Sequence, residues 1–158
     1  MKKIYAAIAI ALCALSANAQ NNTSLGVRLN AGTEHGGELI LGKTYGSHTR
    51  LDFGYGMGMY DLKNSSDFIT TINQFYNWQT EGAFKWFMGA GLQESVEFTD
   101  TKYSAFNIGA GLQTGINYNF SDHFSMGVDV RETCKLIGKP EIANRWNTSV
   151  GLRLGWSF

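Results

Sequence analysis

The final thirteen residues restrict the fold more than any other stretch of the chain. Trp146, Thr148, Val150, Leu152, Leu154, Trp156 and Phe158 take alternate positions, with Asn147, Ser149, Gly151, Arg153, Gly155 and Ser157 between them. Successive side chains of a strand point to opposite faces, so this pattern writes one apolar face and one small or polar face in unbroken register. A helix would scatter both sets around its axis. Strands of soluble domains usually run to ~5–6 residues. A strand crossing a bilayer at a tilt needs roughly 9–11, which this one exceeds.

The other end of the chain has the pattern of an export signal. Lys2 and Lys3 precede an apolar run from Ile4 to Leu15, and Ala17-Asn18-Ala19 has the small-x-small form of a cleavage site. The expected organisation is therefore a signal peptide over 1–19, cleaved after Ala19, and one domain over 20–158. The run falls short of the ~20 apolar residues of a helical span. Lipidation at Cys13 is disfavoured because Leu12, directly before it, is not small.

Composition limits the mature domain. Only 16% of residues are charged, the formal net charge is zero and there are 19 glycines against one proline. A neutral chain offers no electrostatic footprint for nucleic acid. Cleavage leaves Cys134 alone, so no internal disulfide supports the fold. No segment after Ala19 is long and apolar enough for a helix to span a membrane, so residence there requires a closed barrel.

Period two recurs along the chain and predicts eight strands. Strand 1 sets Leu25, Val27, Leu29 and Ala31 against Gly26, Arg28 and Asn30. Strand 2, about Glu38 to Lys43, is ambiguous because Leu39, Ile40 and Leu41 are consecutive. Strand 3 alternates Leu51, Phe53, Tyr55, Met57 and Met59 with Arg50, Asp52 and three glycines, and strand 4 sets Tyr76, Trp78 and Thr80 against Asn77, Gln79 and Glu81. Strand 5 sets Trp86, Met88, Ala90 and Leu92 against Phe87, Gly89, Gly91 and Gln93, and strand 6 runs from Phe106 to Tyr118. Strand 7 is Phe124 to Arg131. With both termini in the periplasm, the outer connections are expected at Thr33–Gly37, Asp61–Ile72, Thr99–Ser104 and Glu132–Arg145. The inner ones, Thr44–Ser47, Gly82–Phe84 and Asn119–His123, are expected to be short, as in bacterial outer-membrane barrels.

A soluble eight-stranded barrel would invert the faces, with the apolar row inside and a charged row outside. Here the polar row is mostly Gly, Asn, Gln and Ser, which suits a narrow lumen that its own side chains must fill. Tyr60, Trp78, Trp86, Tyr118, Trp146, Trp156 and Phe158 fall near strand ends, where interfacial aromatic girdles belong. Glu94 breaks the pattern with the parity of the lipid-facing row, and requires either a position above the hydrocarbon or a bulge.

The signal peptide, the eight alternating strands and the terminal Gly151-Leu152-Arg153-Leu154-Gly155-Trp156-Ser157-Phe158 resemble the small bacterial outer-membrane β-barrel proteins of the OmpA/OmpX type. The resemblance implies an all-β, eight-stranded antiparallel up-and-down transmembrane barrel in the outer membrane. It also implies contact with outer-membrane lipids and lipopolysaccharide, and insertion by the barrel-assembly machinery. Leu152, Leu154, Trp156 and Phe158 would be the residues that machinery reads. The peptidoglycan-binding domain of longer relatives is not expected after Phe158.

The charged residues of the inward row are the candidate functional set: Arg28, Glu38, Arg50, Asp52, Glu81, Asp129, Arg131 and Arg153. They offer an ion path, or they pair and fill a non-conducting lumen. Pairing is favoured, because unpaired charge in a dry space is costly and eight strands leave little room. Arg50 with Asp52 and Asp129 with Arg131 are each two apart and expected to meet within one strand, with Gly54, Gly109 and Gly111 making room.

His123 and Ser125 reproduce the H-x-S spacing of outer-membrane lipid A deacylases, with Glu132 or Glu141 as third member. A periplasmic turn and inward parity count against that use. His35 and His48 stand alone in turns and give no metal-ligand spacing. The expectation is a protein without catalytic, metal or cofactor site, acting structurally or through an unidentified extracellular ligand at its loops. A lipid A-modifying enzyme and a narrow porin-like pore are the alternatives.

Overall fold

The computed structural model describes residues 22–59, 68–99, 102–139 and 145–158. The leader at 1–19, with its cleavage site, lies outside these residues, as do Tyr60 and Glu141. Eight strands follow one another: β1 (Thr23–Gly32), β2 (His35–Tyr45), β3 (Thr49–Met59), β4 (Phe68–Gln79), β5 (Phe84–Thr99), β6 (Lys102–Asn119), β7 (Phe124–Lys139) and β8 (Trp146–Ser157). Each pairs antiparallel with the next, and β8 returns to β1 to close the barrel. Closure leaves no strand edge unpaired, which is the condition for a sheet to sit in lipid.

Faces follow the alternation. Leu29, Met57, Leu112 and Val150 are each more than half exposed on the outside, while Arg28, Asp52, Gln113 and Arg153 are buried inside. A soluble barrel would show the reverse. The three consecutive apolar residues of β2 resolve cleanly: Leu39 faces out and Ile40 is 2% exposed in the lumen. Ile40 stands between Gly26 and Gly54 on the neighbouring strands. Near the end where β1 starts and β8 finishes, Tyr45, Trp78, Trp86, Tyr118, Phe124 and Trp156 are all exposed and ring the barrel. Trp78 and Trp86 meet edge to face at 6.0 Å.

The far end differs from the sequence expectation. β2 begins at His35, leaving residues 33–34 as the turn, and β4 begins at Phe68, so Phe68–Ile72 is strand. Ile69, Thr70, Thr71 and Ile72 are β-branched and suit a pleated surface. The β5–β6 connection contracts from Thr99–Ser104 to residues 100–101, and β7 continues past Arg131 to Lys139. β5, β6 and β7 thus rise above the rest as a hydrogen-bonded collar. Its backbone pairing persists where the apolar alternation has faded. The register of β5 on β6 shifts between Glu97 and Phe98, and that of β6 on β7 shifts between Ile108 and Gly109.

Glu94 keeps its outward parity, flanked by Ile72 and Ile108, and the bulge at Glu97/Phe98 lies beyond it. It stands eight residues from Trp86 of the aromatic ring. At ~2.5 Å of height per tilted residue, that places it ~20 Å up an apolar band ~25 Å tall, within reach of the opposite interface.

Candidate functional site: the charged lumen

Every strand sends a polar side chain into one connected lumen network. Arg28 of β1, 2% exposed, donates from Nε to Asp129 Oδ1 of β7 at 2.8 Å, with Nη2 at 2.6 Å from the same oxygen. Nη2 also donates to Ser149 Oγ of β8 at 3.1 Å. Arg131 of β7 donates from Nη1 to Glu38 Oε2 of β2 at 2.8 Å. Its Nε and Nη2 share Gln113 Oε1 of β6 at 3.2 and 3.1 Å. Arg153 of β8 donates from Nη2 to Asp52 Oδ2 of β3 at 2.6 Å, and Arg50 donates from Nε to the other oxygen of the same carboxylate.

Amides join the ion pairs. Asn73 of β4 donates to Glu38 Oε1 and accepts from Gln93 of β5, each at 3.0 Å. Asn77 donates to Asp52 Oδ2 at 3.1 Å while accepting from Gln113. Two buried rings complete the filling. The Arg131 guanidinium lies 4.5 Å from the centre of the Phe75 ring, and that of Arg153 lies 5.1 Å from Phe87. Aromatic faces favour cations, and in a dry setting the effect reaches ~2 kcal/mol.

Steric room comes from glycines at defined places. A Cβ on Gly54 would fall on the Glu38 carboxylate, and one on Gly151 would fall on the Arg28 guanidinium. Gly109 instead abuts the backbone of Cys134, and Gly111 packs against Thr133 and Phe75, so neither serves an arginine. Within the network the spaces are small: about 20 Å³ near Arg28 and Arg131, and about 10 Å³ between Arg50 and Arg153. Holding one water takes roughly 10–15 Å³. Neither of these two spaces has room for a hydrated ion.

Of the eight charges read from the sequence, Arg28, Glu38, Asp52, Asp129, Arg131 and Arg153 are buried in this network, with Arg50 half-buried at its lower end. Glu81 is not among them. It lies beyond the end of β4, in the turn, with its side chain 63% exposed and 3.6 Å from His48, because strand parity stops where the strand stops. Arg50 and Asp52 do meet within β3, but Asp129 and Arg131 take partners on other strands. Lys135 and Glu97, 2.6 Å apart in the upper lumen, escaped notice, as did Phe75. Continuing the period-two count through β7, up β5 and along β4 reaches all three.

The His123–Ser125 pair does not assemble. His123 Nδ1 lies 3.0 Å from the Ser157 carbonyl, and its ring stacks on Trp156 at 5.9 Å. Among the described hydrogen bonds none joins it to Ser125.

A closed antiparallel barrel with an apolar exterior, an aromatic ring and a lumen filled by paired charges defines an integral outer-membrane β-barrel protein. The chain belongs to the outer membrane protein β-barrel domain family, which it matches over residues 5–158. It is 29% identical over 103 residues to the uncharacterized outer-membrane protein y4mB of Sinorhizobium fredii, covering 60% of this chain and 43% of that protein. The chain thus spans less than half the length of that relative. Two solved barrels share the fold. Neisserial surface protein A is 13% identical, with a TM-score of 0.67, covering 87% of this chain and 95% of that one. The N-terminal β-barrel domain of Pseudomonas aeruginosa OprF is 18% identical, with a TM-score of 0.60, covering 88% and 100%. The protein is therefore an outer-membrane protein, surrounded by that membrane's lipid and lipopolysaccharide.

Proposed function

We propose that the protein is a non-conducting outer-membrane barrel that acts structurally or through surface contacts, and is not an enzyme. The observation that carries this reading is the closure of the lumen at mid-height by Arg28–Asp129, Arg131–Glu38 and Arg153–Asp52. Opening a conducting path would leave buried charges unpartnered, at a cost of about 3–5 kcal/mol for each pair broken. In this reading the leader at 1–19 is removed after Ala19, and the barrel-insertion machinery recognises Leu152, Leu154, Trp156 and Phe158. Both termini face the periplasm, and the β5–β7 collar with the neighbouring connections meets an extracellular ligand. The Neisserial protein of the same fold is named for the surface, in keeping with this.

Purified protein in a planar bilayer at neutral pH is the test. No stable single-channel steps are expected. Reproducible steps whose ion selectivity changes in the Arg131→Glu variant would establish a pore instead.

A further inference from the structure

We propose that the lumen's terminal end is a dead-end binding cup for a small polar molecule carrying a carboxylate or phosphate. A cavity of about 400 Å³ opens there, walled chiefly by hydroxyl and amide side chains, Ser24, Thr44, Gln79, Asn117 and Ser125 among them. That volume falls within the range of small-ligand sites, ~300–1,000 Å³. Its upper limit is the Arg50 guanidinium, whose outer nitrogen lies over the bare backbone of Gly42. The space beyond, toward Arg153, is only about 10 Å³, so what enters the cup stays in it.

Charge decides what enters. The mid-lumen network holds Arg28, Arg50, Arg131 and Arg153 against the carboxylates of Glu38, Asp52 and Asp129. Glu34, 5% exposed, lines the space beside Arg28 and Arg131 and adds a fourth carboxylate. Asp52 serves both Arg153, which is 8% exposed at its side chain, and Arg50, which is 19% exposed, so Arg50 shares its carboxylate and presents its open side to the cup. Lys85 adds a second cation to the cup wall. The lining carboxylates, Glu81 and Asp122, belong to exposed residues in the turns, and Glu81 stands beside His48. A ligand therefore meets mixed charge at the entrance and positive charge at the bottom, which orders it with its anionic group first. A charge-assisted bond to Arg50 would be strengthened by removal from bulk water. The hydroxyls and amides then suit a hydrogen-bonding body rather than an acyl chain.

The inference rests on the sealed lumen of the proposed function only for the bottom of the cup. Its test is a titration of refolded protein in lipid nanodiscs, read by calorimetry and by amide chemical shifts. Glycerol 3-phosphate stands for a lipid headgroup and N-acetyl-alanyl-alanine for a peptide carboxylate. At least one probe should bind saturably, shift Ser24 and Asn117, and weaken as salt rises. Arg50→Gln should weaken binding at least tenfold and Lys85→Gln a fewfold. Whichever probe binds more tightly identifies the source of the anion. Equal affinity in wild type and Arg50→Gln would overturn the proposal, as would no saturable shift at the cup with either probe. If Arg50→Gln fails to refold, Lys85→Gln and the shift map of the unaltered protein decide the matter. Absence of binding in a non-conducting barrel sinks the cup alone, whereas conduction with saturable binding at Arg50 sinks only the sealed lumen.

Discussion

Arg28 and Asp129, 101 residues apart in the chain, meet at 2.6 Å across β8, directly over the bare backbone of Gly151. Neither side chain is more than 2% exposed, so neither has water as an alternative partner. Arg28→Met or Asp129→Asn alone should each destabilise the barrel by about 3–5 kcal/mol, because each leaves a buried charge without its nearest counterion, although Asp129 keeps Arg153 at 3.7 Å. The double variant should cost less than the sum by at least ~1 kcal/mol. Urea unfolding from lipid vesicles measures the cycle, and strict additivity would mean that the pair is not coupled.

Gly54 is the second point of leverage. Gly54→Ala drives a methyl group into the Glu38 carboxylate, which Arg131 and Asn73 hold from two sides, and should cost about 1–3 kcal/mol. In a Glu38→Ala background most of that penalty should disappear. Gly37→Ala is the control: its nearest neighbour would be Leu29 at 3.7 Å, an ordinary contact. A Gly54→Ala protein as stable as wild type would show that Glu38 is not fixed where it stands.

Facing can be tested on adjacent residues of β6. Leu112 is 67% exposed toward lipid and Gln113 is 3% exposed in the lumen. Arg at position 112 should cost about 2–4 kcal/mol, as charge near the bilayer midplane does. Gln113→Glu should cost less, because Arg131 already donates twice to that side chain. The opposite ranking in vesicle unfolding would mean that the faces of β6 are exchanged.

Assembly should depend on the last residue. The Phe158 ring is half exposed on the outer face, while its backbone N–H donates to the Thr23 carbonyl at 2.9 Å. Phe158→Asp keeps that backbone bond and removes the aromatic side chain. Cells making the variant should lose it from the outer membrane, with the protein degraded in the periplasm. Normal membrane levels, with the heat-dependent gel shift of a folded barrel, would refute a recognition role.

Strand number, facing and most lumen charges were readable because lipid outside and a filled lumen inside impose opposite demands on alternate residues. In β8 and β3 both demands act along the whole strand, and the alternation is unbroken. It fails at the top of β7, where Leu136 and Ile137 are adjacent and both exposed beside the register shift. Lys135 was hidden there. Pairing was less readable for a geometric reason. Residues two apart on a strand are separated by ~7 Å along it, whereas the closed barrel brings tips from opposite walls closer than that. Arg131 thus finds Glu38, 93 residues away, while Asp129 turns to Arg28.

The seam between β1 and β8, which pairs Ser24 with Ser157 through to Gly32 with Ser149, also sets how the barrel comes into being. Until that seam forms, β1 and β8 are two open edges, each a template for any passing strand. Arg28–Asp129, Arg131–Glu38 and Arg153–Asp52 cannot form either, since each has one partner on β1–β3 and the other on β7 or β8, across the seam. Edge closure and charge neutralisation therefore happen together. A partly zipped sheet keeps the cost of both, so folding should be all-or-none and slow to nucleate, as loops closed over more than a hundred residues are.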